Sequence, residues 1–327
     1  MSRDDEIEQI EHVERLARKI DGVHGEIEAD EKDLSKEHQA VREDLKKFRN
    51  GDLSAKKMKR ILEEFEAQEE EQEELIEYEE RSIKDTREAL QELQDTINKI
   101  SEHQKQEMKN FNNATKGIEN ALGSIANADS FKEGVDGAIS QMWNSVENME
   151  TDMDEEAEMS EDLDILGHEL GKAVKEDEEL LKDEEDDYNM EKIFGQILEE
   201  VGAEAGEKKD QKLAEKDKEE FEQTKEEFSQ IEDLTEKEEE EVKELYKEVK
   251  KTVEEAKEMY EDIDELIEDI KEAPGDQSER IRKLHKMQAE IDSNVTEAQK
   301  AMEKLQEVGN FTDKLESEER NAESALI

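Results

Sequence analysis

The stretch Gly167-His168-Glu169-Leu170-Gly171-Lys172-Ala173 comes nearest to reactive chemistry in this chain. A phosphate loop needs two spaced glycines, a lysine for the phosphate and then a Ser or Thr for magnesium. Here the glycines stand one residue too close, Ala173 replaces the magnesium ligand, and no strand signal precedes the motif. Just upstream, Asp162-Leu163-Asp164-Ile165-Leu166-Gly167 begins like a calcium loop, but Leu166 fills the fifth position and Ala173 the twelfth, where oxygen ligands are required. The six histidines form neither HExxH nor Glu-x-x-His pairs. With no cysteine, thiolate chemistry and disulfides are excluded. Acyl, phosphoryl and metal chemistry each lack their residue set, so the expectation is a chain that is not an enzyme and takes no cofactor and no specific metal. Three Asn-x-Thr sequons, at Asn113, Asn294 and Asn310, read as chance in a chain without a signal-peptide pattern at Met1-Ser2-Arg3-Asp4.

The elements that would carry such residues are written in a seven-residue rhythm. Val13, Ile20, Ile27, Leu34, Val41 and Phe48 recur every seventh residue, and Ile10, Ala17, His24, Glu31, His38 and Leu45 form the second seam. A period of 3.5 keeps one stripe of a helix facing a partner helix. After Asn50-Gly51-Asp52-Leu53-Ser54, a second ladder follows with Leu62, Ile76, Ile83, Leu90, Ile97 and Phe111. Folding about Asp52 brings His24 near Tyr78 and Glu79, His38 near Phe65 and Glu31 near Gln72. The histidines then read as polar seam residues that fix pairing, with a proton-sensitive register as the sharper alternative.

The C-terminal third repeats the plan. Val242, Val249, Ala256, Ile263 and Ile270 run beside Leu245, Thr252, Met259, Leu266 and Ala273. The break Pro274-Gly275-Asp276-Gln277-Ser278 offers Ser278 as an N-cap, and a last helix follows with Ile281, Leu284, Ile291, Ala298 and Leu305. The fold class is therefore all-α: two long antiparallel coiled-coil hairpins, 1–111 and 208–327, flanking a smaller Gly-rich middle region, 112–207. That middle holds most of the 14 Gly and the single Trp. It reads as three or four short helices joined by acidic linkers such as Asp152–Glu158 and Asp183–Asp187.

Composition narrows the setting. Charged residues make up 45% of the 327, aromatics 4%, and the formal net charge is −54. Self-repulsion on that scale opposes compaction in dilute buffer and is relieved by salt, which points to a salt-rich cytoplasm. The charge repels nucleic acid and anionic membrane surfaces, and no apolar run is long enough to span a bilayer. Against this acidity the first tip is basic, with Lys46, Lys47, Arg49, Lys56, Lys57, Lys59 and Arg60; the second leads into Arg280, Arg282, Lys283 and Lys286. These are the candidate docking residues for an acidic protein partner or a second copy of the chain in a homo-oligomer. Phe131, Ile139, Met142 and Trp143 form a candidate apolar groove in the middle region. The function expected is a cytoplasmic scaffold or adaptor; a clamp-type chaperone and a signalling rod are the alternatives.

Overall fold

A computed structural model describes residues 9–25 and 27, the single positions 36, 40, 43 and 47, and residues 55–123, 128–201 and 206–326. Among them every residue outside the 273–277 turn is helical, and no strand occurs. The helices are α1 (residues 9–25), α2 (Ala55–Gly123), α3 (Ala128–Val201), α4 (Gly206–Glu272) and α5 (Ser278–Leu326). The first turn, Asn50–Ser54, lies outside the described residues, as do the side chains of Glu31, His38 and Phe65.

The middle of the chain differs from the sequence expectation. Instead of short helices with acidic linkers, α3 is one helix of 74 residues that runs through Asp152–Glu158 and Asp183–Asp187, and α2 continues past Phe111 to Gly123. The reason is a ladder hidden by its polar rungs. Val135, Met142, Met149, Glu156, Leu163 and Leu170 recur every seventh residue, as do Ile139, Val146, Met153, Ser160, Gly167 and Val174, and all are buried. Glu is a good helix former, so the acidic run prolongs the helix that the apolar rungs anchor. The Gly167–Ala173 segment that falls short of a phosphate loop and the Asp162–Gly167 segment that falls short of a calcium loop are both interior turns of α3. Their backbone N–H groups belong to the helix ladder and are not presented to a ligand.

The chain divides into two compact units. Unit 1 draws on residues 1–14, 90–165 and 238–311, and so takes residues from all three expected segments. Within it α1 meets α2 through the His12 Nδ1 to Glu92 carboxylate hydrogen bond at 2.9 Å and through Lys99 on Gln9. α2 meets α3 through Gln104 and Glu156, α3 meets α4 through Glu156 and Thr252, and α3 meets α5 through Asp136 and Arg280. Residue numbers rise together along α3 and α5, from the Asp136–Arg280 contact to Lys304 beside Asp164, so these two helices are parallel. α4 runs against α5, with Tyr246 bonded to Gln306 and Tyr260 to Gln288.

Unit 2 draws on residues 15–89, 166–237 and 312–327. Here α1 runs against α2: Lys19 bonds Asp85, His24 Nε2 lies 2.9 Å from Ser82 Oγ, and Ile27 and Leu75 pack with Val23 and Tyr78. His24 thus meets Ser82, one helical turn beyond the Tyr78 expected opposite it. Arg87 bonds Gln230 and Glu80 accepts from Gln223, which sets α2 parallel to α4. Lys172 of α3 donates to Asp21 of α1 at 2.9 Å and to its own helix's Glu169 at 2.8 Å. The lysine of the phosphate-loop candidate is therefore an ion-pair partner in the helix packing.

The α4–α5 turn follows from its residues. Ala273 N–H donates to Ile270 C=O in a tightened last turn, Pro274 ends the helix, and Gly275 adopts φ +99°, which disfavours a side chain. Gln277 C=O accepts the first bond of α5 from Ile281 N–H. The capping side chain is Asp276 and not the expected Ser278. Its Oδ1 accepts from Ser278 N–H at 3.0 Å and from Ser278 Oγ–H at 2.6 Å. These two bonds hold the Asp276 carboxyl below its usual range.

Candidate functional site

Unit 1 holds a polar junction built from three helices. Gln104 of α2, Glu156 of α3 and Thr252 of α4 each occupy a ladder position of their own helix. Glu156 Oε1 accepts from Gln104 Nε2 at 2.7 Å and from Thr252 Oγ1 at 2.8 Å. Thr252 Oγ1 also lies 3.0 Å from Glu248 C=O. Glu156 is 1% exposed, and its Oε2 has no hydrogen-bond partner. Burial pushes its carboxyl up to about 8, against the lowering effect of the bonds from Gln104 and Thr252; the nearby Asp152 and Glu248 charges push it the same way as burial.

Glu238 is a second buried acid on a ladder position of α4. It is 0% exposed, and neither carboxylate oxygen has a hydrogen-bond partner. Burial, then the Asp164 charge, raises it well above the ordinary carboxyl range. Elsewhere in unit 1, acids lie close to one another along and across helices. Glu150 is raised by burial and by Asp154 and Glu290, Asp154 by burial and Glu297, and Glu158 by burial and by Asp154 and Glu14. Asp262 is raised by burial and by Glu265, Glu258 and the Glu119 of α2. Crowding of like charges is thus a property of the packed unit as well as of the composition.

The second basic tip gathers around one acid. Arg280 Nε donates to Asp136 Oδ1 at 2.7 Å, and its guanidinium also reaches Lys132 C=O at 3.5 Å and Gln277 Oε1 at 2.6 Å. The Arg280 bond, and the Lys283 and Lys132 charges with it, hold Asp136 below its usual range. Lys132, Arg282 and Lys283 are exposed, so α3 adds a cation to the tip that the sequence reading did not include. Lys132 stands at the start of the second turn of α3, which begins at Ala128. Lys286 is engaged, with Nζ 3.2 Å from Glu290 and 4.5 Å above the Trp143 ring. Of the first tip, Lys47 is helical and exposed, and Lys56, Lys57, Lys59 and Arg60 lie in the first turns of α2. The side chains of those four, and both Lys46 and Arg49, are outside the described residues.

The described residues of the candidate apolar groove lie in different surroundings. Ile139 and Met142 are 2% and 0% exposed and belong to the core of unit 1. Trp143 is half-buried, capped by Lys286, and its Nε1 donates to Glu147 at 2.6 Å. The side chain of Phe131 is outside the described residues. The ladder explains these positions: Ile139 and Met142 are consecutive buried seam rungs, whereas Trp143 sits one residue off the seam.

No family model and no curated protein matches the chain. A solved structure described as "Computational Design of Self-Assembling Cyclic Protein Homooligomers" is similar over 90% of this chain and 98% of its own, at 15% identity and a TM-score of 0.18. A score that low carries no inference about assembly or activity. No helix among the described residues is long and apolar enough to cross a membrane.

Proposed function

We propose that this chain is a non-enzymatic coiled-coil scaffold or adaptor of a salt-rich cytoplasm, which docks an acidic protein surface at its basic tips. The observation that carries the reading is the cluster at the start of α5. In a chain of net charge −54, Arg280, Lys283 and Lys132 act together on the Asp136 carboxylate, and Arg282 and Lys283 are both exposed near the start of α5. Isolated surface cations on so acidic a protein find carboxylates within their own helix, as Lys271 and Lys300 do with Glu268 and Glu297. Exposed cations grouped in this way give an approaching acidic surface both steering and register. The same chemistry admits an acidic face of a second copy.

The clamp-type chaperone reading requires apolar surface around Trp143. It is the weaker one, because Ile139 and Met142 are core residues and the indole is covered by Lys286.

The test is affinity capture of the full chain from its own cell extract at native salt, with cross-linking, in parallel with the Arg282→Glu, Lys283→Glu double variant. Both residues are exposed, so the fold is expected to survive. The expected result is a stoichiometric acidic partner, or the chain itself, cross-linked near Lys283 and lost in the variant. Retention of every partner by the variant overturns tip docking.

A further inference from the structure

The Gln104–Glu156–Thr252 junction has no part in docking, yet it is the point at which α2, α3 and α4 are tied together inside unit 1. We propose that it is a proton-operated latch: unit 1 closes with the Glu156 carboxyl protonated and loosens when that carboxyl ionises. The geometry supplies the argument. One oxygen of Glu156 accepts two hydrogen bonds, and the other is buried with no partner. A full negative charge there would leave one lone-pair set without donor or solvent, at large cost in a low-dielectric interior. The neutral acid keeps both accepted bonds at Oε1 and carries its proton on Oε2, where a buried unpaired O–H costs much less than a buried unpaired charge.

The charged surroundings reinforce this. Asp152 on its own helix and Glu248 on α4 are both acidic, and Lys251 of α4 is engaged with Glu248 at 2.8 Å and Glu255 at 3.5 Å. α2 contributes the uncharged Gln104. α1 brings Glu11 and Glu14 toward Glu158, two residues along α3, and α5 brings Glu290 and Glu297 toward Glu150 and Asp154. Among the described residues, the charges that act on Glu156 itself are those of Asp152 and Glu248, and both disfavour its carboxylate.

The direction follows from linkage. Glu156 titrates near about 8 in the folded unit and in the ordinary carboxyl range when unfolded. Between those values the folded state holds one more proton. Its contribution to stability is therefore complete below the ordinary range and declines as pH rises through about 8.

The experiment compares full-length wild type with Glu156→Gln by equilibrium unfolding from pH 5 to 9 at fixed KCl. Gln keeps the accepting oxygen and removes the titration. The folding constant of the variant relative to wild type should rise by up to about tenfold per pH unit across the window. A ratio independent of pH overturns the latch. Should Glu156→Gln fail to fold, Thr252→Val retains the carboxyl and removes a donor that favours its ionised form. Carbon-13 spectra of the Glu carboxyls are then expected to contain one resonance titrating near about 8 in wild type that moves higher in Thr252→Val. Absence of such a resonance overturns the proposal as well.

Discussion

At the scale of single residues, the acids that matter are those on ladder positions. Glu156 has two donors, whereas Glu238 is buried without a hydrogen bond on either oxygen. Removing a group of that kind outright relieves its desolvation without leaving a partner stranded. Replacing Glu238 with Leu is therefore expected to stabilise the chain, by about 1–3 kcal/mol at pH 8. Because burial raises Glu238, its folded form holds a proton that the unfolded form has already lost above the ordinary carboxyl range. Wild-type stability falls as pH rises through that window, and the gain from Glu238→Leu should be larger at pH 8 than at pH 5. Thermal melts at the two values check this, and equal gains would count against the buried-acid account.

At the scale of elements, the decisive finding is the continuity of α3 through the acidic run Asp152–Glu158. A linker would accept proline without cost, whereas a helix interior loses a hydrogen bond and suffers a ring clash. Asp154 is exposed within this run and faces the Glu297 charge, so its side chain contributes little to the core. Asp154→Pro is expected to cost about 3 kcal/mol or more, read as a drop in melting temperature with loss of helix signal. An unchanged melt would restore the linker. The ladder that α3 shares with α2 and α4 was legible in the residues. Val135, Met142, Met149, Leu163 and Leu170 keep a strict period, and only Glu156 breaks the apolar pattern. In the other seam Ser160 and Gly167 stand among Ile139, Val146, Met153 and Val174. The acidic run Asp152–Glu158 resembles a linker in sequence, yet its Glu156 is a buried rung that joins α3 to α2 and α4.

At the scale of the whole molecule, a net charge of −54 is joined by acids that unit 1 packs against one another, such as Glu150 with Glu290 and Asp262 with Glu119. Salt and protons act on these contacts in the same direction. Raising KCl from about 0.1 M to 1 M shortens the screening length from about 10 Å to about 3 Å, below the spacing of most surface charges. Melting temperature is expected to rise over that range at pH 7.5, and the rise to shrink toward lower pH, because burial and like charges push acids such as Glu150 and Asp262 toward earlier protonation. Circular dichroism melts across the two conditions measure it, and a melt indifferent to KCl would remove the argument for a salt-rich setting.

The sequence alone determined that the chain is helical, because a seven-residue apolar period, a single proline and abundant Glu and Lys are local properties that each helix expresses by itself. It also marked the α4–α5 turn, since Pro274 and Gly275 act within a few residues of where they stand. Only the tertiary structure decided which polar rungs meet. Gln104, Glu156 and Thr252 are separated by 52 and 96 residues along the chain, and nothing local encodes that they share one level of unit 1. The protonation of Glu156 depends on that meeting, because desolvation comes from the neighbours that surround a carboxyl and not from the carboxyl's own segment.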